Sequence, residues 1–502
     1  MEFTFSLSQT LFTFLFILLV IKLLKGSKTN RLAPNLPPGP KKLPLVGNIF
    51  DVGGPLPHHT LRNLAQKYGP LMHLQLGENS TVIASSAETA KEVMKTHDIN
   101  FANRPFLLAA HIISYNSTNI MHSPYGEYWK QLRRICNSEL LSARHVQSLR
   151  PIREEEVSNL IQMISKSSGS PVNLSELIYA MTYGITTRSI FGKKSKHQEA
   201  LISLIDKALV LSGGFTLSDL YPSSKVIAFL SGLRPKLEKI HQRFDKMLDD
   251  IIREHKSHEE GKDMGNLLLD VLLKLMDNSK LEVPLTLNNI KAIILDILAA
   301  GSDTSSTVIE WAMSELLKNP SIMEKAQTEV RQIFSTKAKV DETGIQSLDF
   351  LKLVIKETLR LHPPAPLMLP MENREKCEIN GYEIPVKTKV VVNVWAIGRD
   401  PKYWKDPERF HPERFVDSSV DYRGGDFEYI PFGAGRRICP GISFGLANLE
   451  LPLASLLHHF DWKLADTNGK NEDLDMTEAF GVTVKRKSVL NIVPSVCYPL
   501  AL

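Results

Sequence analysis

Residues 3–21 carry no charge, and the run LFTFLFILLVIKLL within and just beyond them is apolar almost throughout. About 20 apolar residues cross a bilayer as a helix, so this pattern predicts a transmembrane anchor over residues 1–24. Lys22, Lys25, Lys28 and Arg31 follow at once. By the positive-inside rule they hold the rest of the chain on the cytosolic face. A cleaved signal peptide would carry its basic residues before the apolar run and a small-residue site after it, and neither is seen. In the following LAPNLPPGPKKLP, Pro34, Pro37, Pro38 and Pro40 forbid a continued helix. They give a stiff, extended spacer. Residues 25–44 read as a basic, proline-rich hinge and residues 45–502 as the catalytic body.

Within the body the period changes from segment to segment. Residues 68–85, YGPLMHLQLGENSTVIAS, alternate around Gly77, Glu78 and Asn79, a hairpin signal. Residues 376–397 hold Asn380–Gly381 and a β-branched run, a second strand region. Helical spacing predicts helices over 126–141, 236–257, 288–318, 320–335 and 348–361. Residues 253–263, REHKSHEEGKD, read as a charged, solvated loop. The expected fold class is mainly α with small β-sheets.

Composition then removes several function classes. Of 502 residues 43% are apolar and 23% charged, and the net charge is +5. The charges are interspersed, which gives nucleic-acid binding no support. Four cysteines, Cys136, Cys377, Cys439 and Cys497, lie far apart. They form neither a disulfide framework nor a CxxC signature, as suits a reducing compartment.

One of them stands in an unusual loop, PFGAGRRICPG, residues 431–441. The sequel GISFGLANLELPLASLLHHF places Leu446, Leu449, Leu453 and Leu456 on one helical face, with a bend expected at Pro452. Cys439 then precedes a helix N-terminus, where the helix dipole and Arg437 favour a thiolate. Gly433, Gly435 and Gly441 let something flat approach the backbone, and Phe432 can pack on it. A thiolate ligand to a haem iron fits these features; a buried structural cysteine is the bland alternative.

Other stretches supply companions. In residues 296–313, DILAAGSDTSSTVIEWAM, Ala300–Gly301 leaves space in mid-helix. Thr304 can bond the Ala300 carbonyl and Asp303 adds an ionisable group; a simple kink with a solvated Asp is the competing reading. Trp129 and Arg133, at i and i+4, suit a carboxylate pair. Glu357 and Arg360, at i and i+3, form an ion pair, with Arg414 of FHPERF as a third partner. Such a set is either a surface pair or a buried structural pin.

With these residues in place, the chain resembles the plant microsomal cytochrome P450 monooxygenases, the A-type clan that oxidises terpenoids, alkaloids and phenylpropanoids. The likeness runs from the anchor and PPGP hinge to the C-terminus, with AGSDTS, ETLR, PERF and PFGAGRRICPG in family order. It implies haem b between the Thr304 helix and the Cys439 loop, with Cys439 as the metal ligand. Phe432 would shield the sulfur and Gly441 would stand beside it. Arg437, Trp129 and Arg133 would hold the propionates, and Asp303 and Thr304 would deliver protons to bound dioxygen. Glu357, Arg360 and Arg414 would form the structural triad. The implied reaction puts one oxygen atom of O2 into a C–H bond, releases the other as water, and draws electrons from NADPH through a cytochrome P450 reductase, with cytochrome b5 a further partner. One departure stands out: after LMLP, where the family usually has an arginine on a propionate, this chain has Met371, and Arg374 follows three residues on.

The resemblance also implies a substrate pocket at Phe106, Ile113, Ile294, Leu298, Ala299, Leu367, Met371 and Phe480. These are apolar, so a hydrophobic, uncharged substrate is expected. A sesquiterpene or diterpene comes first, an alkaloid or phenylpropanoid second. Two rivals remain: a reductase-independent haem-thiolate isomerase or dehydratase, and a non-catalytic haem-binding membrane protein. The expected location is the endoplasmic reticulum membrane with the body cytosolic, so the sequons at Asn79, Asn116 and Asn173 should carry no glycan. Lys402, Lys405 and Arg436 are candidates for meeting an acidic redox partner.

Overall fold

The segment predicted as a helix over 288–318 is the helix Leu287–Lys318, opened by a capping box in which Thr286 and Asn289 satisfy each other's backbone amides. Among the described residues it alone is long and apolar enough to cross a membrane, yet 78% of that apolar window is buried inside the body. It is the central rod of the fold. In the computed structural model, the residues described are 11, 13–18, 35–193, 198–213, 216–259, 267–277, 281–335, 339–465 and 474–499. Of the predicted anchor, residues 11 and 13–18 are helical and exposed; the rest of it, and the hinge up to residue 34, lie outside the described residues.

Helices pack around the rod. Leu174–Phe191 lies along one side and Ile442–His459 along another. Gly301 explains how close the second approach is: a Cβ there would meet Phe444 Cε1 at 3.2 Å and Thr186 Cγ2 at 3.5 Å. The gap left by that glycine is therefore filled by two neighbouring helices. Pro452 sits within Ile442–His459 without ending it. The helix predicted over 126–141 runs as Glu127–Ile135 and continues as a π-turn, Cys136–Leu140.

One expectation fails here. The charged stretch 253–263 is not a loop from its start: the helix Leu233–Glu259 runs into it as far as Glu259, His255 turns inward to meet Asp270 at 2.5 Å, and residues 260–263 lie outside the described residues.

The sheets are small. Leu71–Leu76 and Asn79–Ala84 form the predicted hairpin, and the second strand pairs in parallel with Lys389–Val392, which carries Met371–Glu372 on its far edge. The Asn380–Gly381 turn joins Cys377–Ile379 to Tyr382–Ile384, with φ of 53° and 80° as a type I′ turn requires. Glu478–Ala479 and Lys485–Arg486 make a last short hairpin that brings Lys485 against the central rod.

The helix Asp349–Leu361 is pinned to the segment leading to the cysteine loop. Arg360 Nε and Nη2 donate to the two oxygens of Glu357 at 2.7 and 2.8 Å. Arg414 Nε and the His411 amide donate to Glu357 Oε1 at 2.9 and 2.8 Å. Arg360 also reaches the carbonyls of Gly398 and Pro407 at 2.6 and 2.7 Å. The Glu357 and Arg360 side chains are fully closed off, so this is a buried network and not a surface pair.

Candidate functional site

The cysteine loop is shaped by its glycines. Gly435 adopts φ 65°, and a Cβ on it would stand 2.2 Å from the Met94 carbonyl oxygen, so no other residue fits. The Cys439 amide donates to the Phe432 carbonyl at 2.9 Å, and the Gly441 amide donates to Cys439 Sγ at 3.3 Å. Cys439 thus stands immediately before the helix Ile442–His459. Phe432 packs against the main core and meets Tyr422 edge-on at 5.6 Å.

Burial pushes the Cys439 thiol up from its ordinary value, and the Gly441 amide and the Arg133 charge pull it down. The sequence pointed to Arg437 as the favouring charge; the structure puts Arg133 in that place. A half-buried thiol with its pKa raised becomes a thiolate when a metal cation takes it.

Beside it lies a cluster of cations. Arg437 donates to the carbonyls of Ala102, Ile120 and Ser123 at 2.8, 3.3 and 2.7 Å, and its guanidinium lies 4.2 Å from the Trp129 ring centre. Trp129 spends its own N–H on the Ile120 carbonyl at 3.1 Å, so it offers a ring face and not the hydrogen bond the spacing suggested. Arg104 donates to the carbonyls of Met121, Leu369 and Pro370 at 2.9, 2.8 and 2.9 Å. Burial, with Arg104 and Arg133 nearby, brings the Arg437 guanidinium down to about 8, and burial brings Arg104 down to about 10. Among the described residues no carboxylate forms an ion pair with Arg104, Arg133 or Arg437, although the surface arginines around them are paired. Three half-buried guanidiniums with no carboxylate partner among the described residues mark a site built for a dianion. With a thiol poised for a metal beside them, the residues present fit a haem and its two propionates.

Sequence reasoning missed Arg104. Its signal was faint: one arginine before a proline in NRP, with no helical partner. It comes to the site because its guanidinium crosses to the carbonyls preceding position 371. Met371 itself is closed into a second core, paired with Val390 and only 4% exposed. Arg374 lies 5.9 Å from the Tyr125 ring centre.

The wall opposite belongs to the central rod. Thr304 Oγ1 donates to the Ala300 carbonyl at 2.7 Å. Ala300 keeps open surface in a helix otherwise buried, with Ala299 and Thr304 partly open beside it. Ile294 and Leu298, placed on the substrate wall from sequence, are fully packed into the core instead. The open face is rotated onto Ala299, Ala300 and Thr304. Asp303 is 1% exposed, and both its oxygens are taken: Oδ1 by the Lys485 ammonium and Oδ2 by the Thr483 hydroxyl.

The other pocket candidates divide. Leu367 and Phe480 share one apolar cluster with Leu220. Ile113 packs with Leu108 and Leu237. Phe106 is 54% exposed and lies beside His111, outside that cluster. On the cysteine side, Lys402 is paired with Glu88 and Arg436 with Asp98 at 3.3 Å, whereas Lys405 is exposed.

Residues 37–490 match the family model described as Cytochrome P450. The chain is 54% identical over 508 residues to the desmethyl-deoxy-podophyllotoxin synthase of Sinopodophyllum hexandrum, covering 100% of this chain and 99% of that protein. It is 53% identical over 491 residues to the premnaspirodiene oxygenase of Hyoscyamus muticus, covering 97% and 98%. A solved zebra fish cytochrome P450 with abiraterone shares the fold at a TM-score of 0.75 and 24% identity, over 89% of this chain and 100% of that one.

Proposed function

The chain belongs to the cytochrome P450 family, and from that premise we propose that it oxygenates a hydrophobic terpenoid, with Cys439 as the iron ligand. It is a haem monooxygenase of the plant terpenoid- and alkaloid-oxidising clan, and its electrons come from NADPH through a reductase. Bound haem supplies the activation of dioxygen.

The protein's part is positioning. Cys439 would hold the metal, with the Gly441 amide tempering the charge on its sulfur. Arg104, Arg133 and Arg437 would hold the propionates, with the Trp129 ring centre 4.2 Å from the Arg437 guanidinium. Thr304, its hydroxyl turned to the Ala300 carbonyl, marks the place where a proton passes to the oxygen side. Asp303 would supply that proton, its carboxylate held by Lys485 and Thr483. The observation that carries the reading is the joint presence of a half-buried thiol and three guanidiniums that no carboxylate among the described residues pairs with.

An apolar substrate fits Ala299, Ala300, Leu367 and Phe480, which offer no charge to pair with. A terpenoid is favoured by the likeness to the premnaspirodiene oxygenase. A second reading, a substrate of the kind the desmethyl-deoxy-podophyllotoxin synthase handles, is favoured by the 54% identity to it. On this reading the enzyme sits on the endoplasmic reticulum membrane, anchored through residues 1–24, with its body in the cytosol. Val226, Phe229 and Leu230, 66%, 84% and 74% exposed on one short helix, support a second contact with lipid. The reductase, and cytochrome b5 with it, would dock on the Cys439 side. There Lys405 is the more available cation, because Lys402 and Arg436 already have partners.

The test is the reduced carbon-monoxide difference spectrum of the membrane-expressed protein beside Cys439→Ala. A strongly red-shifted Soret band lost in the variant supports the reading; haem present without that shift refutes thiolate ligation. Turnover of terpenoid and podophyllotoxin-type panels with a reductase, read by product mass, then decides between the two substrate readings.

A further inference from the structure

Residues 119–123 are pinned from both sides. The Ile120 carbonyl accepts from Trp129 Nε1 at 3.1 Å and from Arg437 at 3.3 Å, that of Met121 from Arg104 at 2.9 Å, and that of Ser123 from Arg437 at 2.7 Å. On the other side the Met121 amide donates to Asp296 Oδ2 at 3.1 Å, and the His122 amide donates to Asn119 Oδ1 at 3.1 Å. His122 therefore stands in a stretch wrapped by the cation cluster. It is the one ionisable side chain in that stretch.

Asn119 decides which ring nitrogen carries the proton. Its amide orientation is fixed twice, since Nδ2 donates to Asp296 Oδ1 at 2.5 Å while Oδ1 accepts from the His122 amide. The same Nδ2 donates to His122 Nδ1 at 3.2 Å. Nδ1 is thus an acceptor, and the hydrogen of the neutral ring sits on Nε2. Burial, with the charges of Arg104 and Arg437, pushes the ring down to about 3, so it stays neutral. Among the described residues nothing accepts a hydrogen bond from Nε2.

His122 is half-buried, and an N–H that no protein group accepts is a hydrogen bond that a ligand can supply. We infer that His122 donates through Nε2 to a carboxylate of the bound haem, as a neutral fourth member of the cluster formed by Arg104, Arg133 and Arg437. The inference rests on the haem reading above. Neutrality is what the place requires: a further cation would add repulsion to three crowded guanidiniums, whereas an imidazole N–H adds a hydrogen bond and no charge. Asn119 is then a positioning residue that holds the ring in the useful tautomer, and Asp296 fastens Asn119 to the central rod.

The test uses the full-length, haem-loaded protein and the variants His122→Phe, His122→Gln and Arg437→Gln. Haem transfer to excess apomyoglobin and the midpoint potential are read, with the carbon-monoxide band as the control. His122→Phe is expected to release haem about tenfold faster, the loss of one hydrogen bond to a charged group. Its potential should fall, because the carboxylate charge left unscreened favours the ferric state. His122→Gln, which keeps a donor, should restore both to within about twofold. The inference is overturned if His122→Phe matches the parent while Arg437→Gln releases haem faster. It is equally overturned if His122→Gln is as fast as His122→Phe, which would make the effect one of packing. Should His122→Phe fail to fold, Asn119→Leu frees Nδ1 with the ring in place; faster release supports the assignment, and unchanged release refutes it. Loss of the carbon-monoxide band in the parent would instead sink the thiolate reading and leave the His122 comparison intact.

Discussion

Replacing Glu357 by glutamine keeps the shape of the side chain and removes its charge. Glu357 accepts four hydrogen bonds, from Arg360 Nε, Arg360 Nη2, Arg414 Nε and the His411 amide. Glutamine has a single side-chain oxygen to accept with, and its NH2 group faces donors instead of acceptors. Arg360 is left as a closed-off cation without a counter-charge. Breaking such a buried pair by removing one partner costs about 3–5 kcal/mol. For a chain of 502 residues, at about 2.1 cal/mol/K per residue, each kcal/mol moves Tm by about 1 °C. The expected fall is therefore about 3–5 °C. Haem content should fall with it, because the network ties the Asp349–Leu361 helix to the carbonyls of Gly398, Pro407 and Arg409, on the approach to the cysteine loop. Differential scanning calorimetry and the pyridine haemochrome assay read the two effects. A Tm within about 1 °C of the parent with full haem content would show that Arg360 is compensated without Glu357, and the reasoning would fail.

Lys485→Met should leave Asp303 without its cation, lowering product formed per NADPH and changing the solvent isotope effect, while Lys485→Arg restores coupling; equal coupling in all three would remove Lys485 from any role in proton delivery. Leu298→Ala, at a fully packed site, should cost about 2–5 kcal/mol by thermal melting and leave the product profile unchanged. Ala300→Leu should instead alter or abolish substrate binding spectra, because Ala300 is the open position of the rod; the reverse pattern would restore the wall first read from the sequence. Asp296, raised by burial from 3.8 to about 7, binds its proton more tightly folded than unfolded. Its contribution to stability is complete below 3.8 and is lost as pH rises through about 7. Melting curves of Asp296→Asn across that window should be flatter than those of the parent, and an unchanged slope would count against a buried, protonatable Asp296.

Much of the site was legible because its chemistry needs rare residues in rigid local contexts. PFGAGRRICPG fixes its own loop: Gly435 has nowhere to put a side chain, and Cys439 bonds back to Phe432 within the same stretch. The Asn380–Gly381 turn and the capping box at Thr286 were readable for the same reason. Glu357 and Arg360 were visible as a pair, but the choice between surface pair and buried pin was not. That choice depends on carbonyls 38, 47 and 49 residues away.

Arg104 and Lys485 were not legible at all, since each acts across a long sequence separation, and His122 was not, since its only near partner is Asn119 three residues before it, outside any helix. The rotation of the rod was hidden for a related reason. Ile294 and Leu298 are as apolar as any pocket residue, and only the helices packed against them decide that they face core.

The sequence by itself determined the apolar N-terminal run, the lone thiol in its glycine-shaped loop, the long apolar helix, and the family, because these depend on short-range sterics and periodicity. The tertiary structure decided which face of that helix opens, where Asp303 sends its carboxylate, and which cations gather without a counter-ion. Those outcomes are set by desolvation and long-range pairing, which no local window of the chain contains.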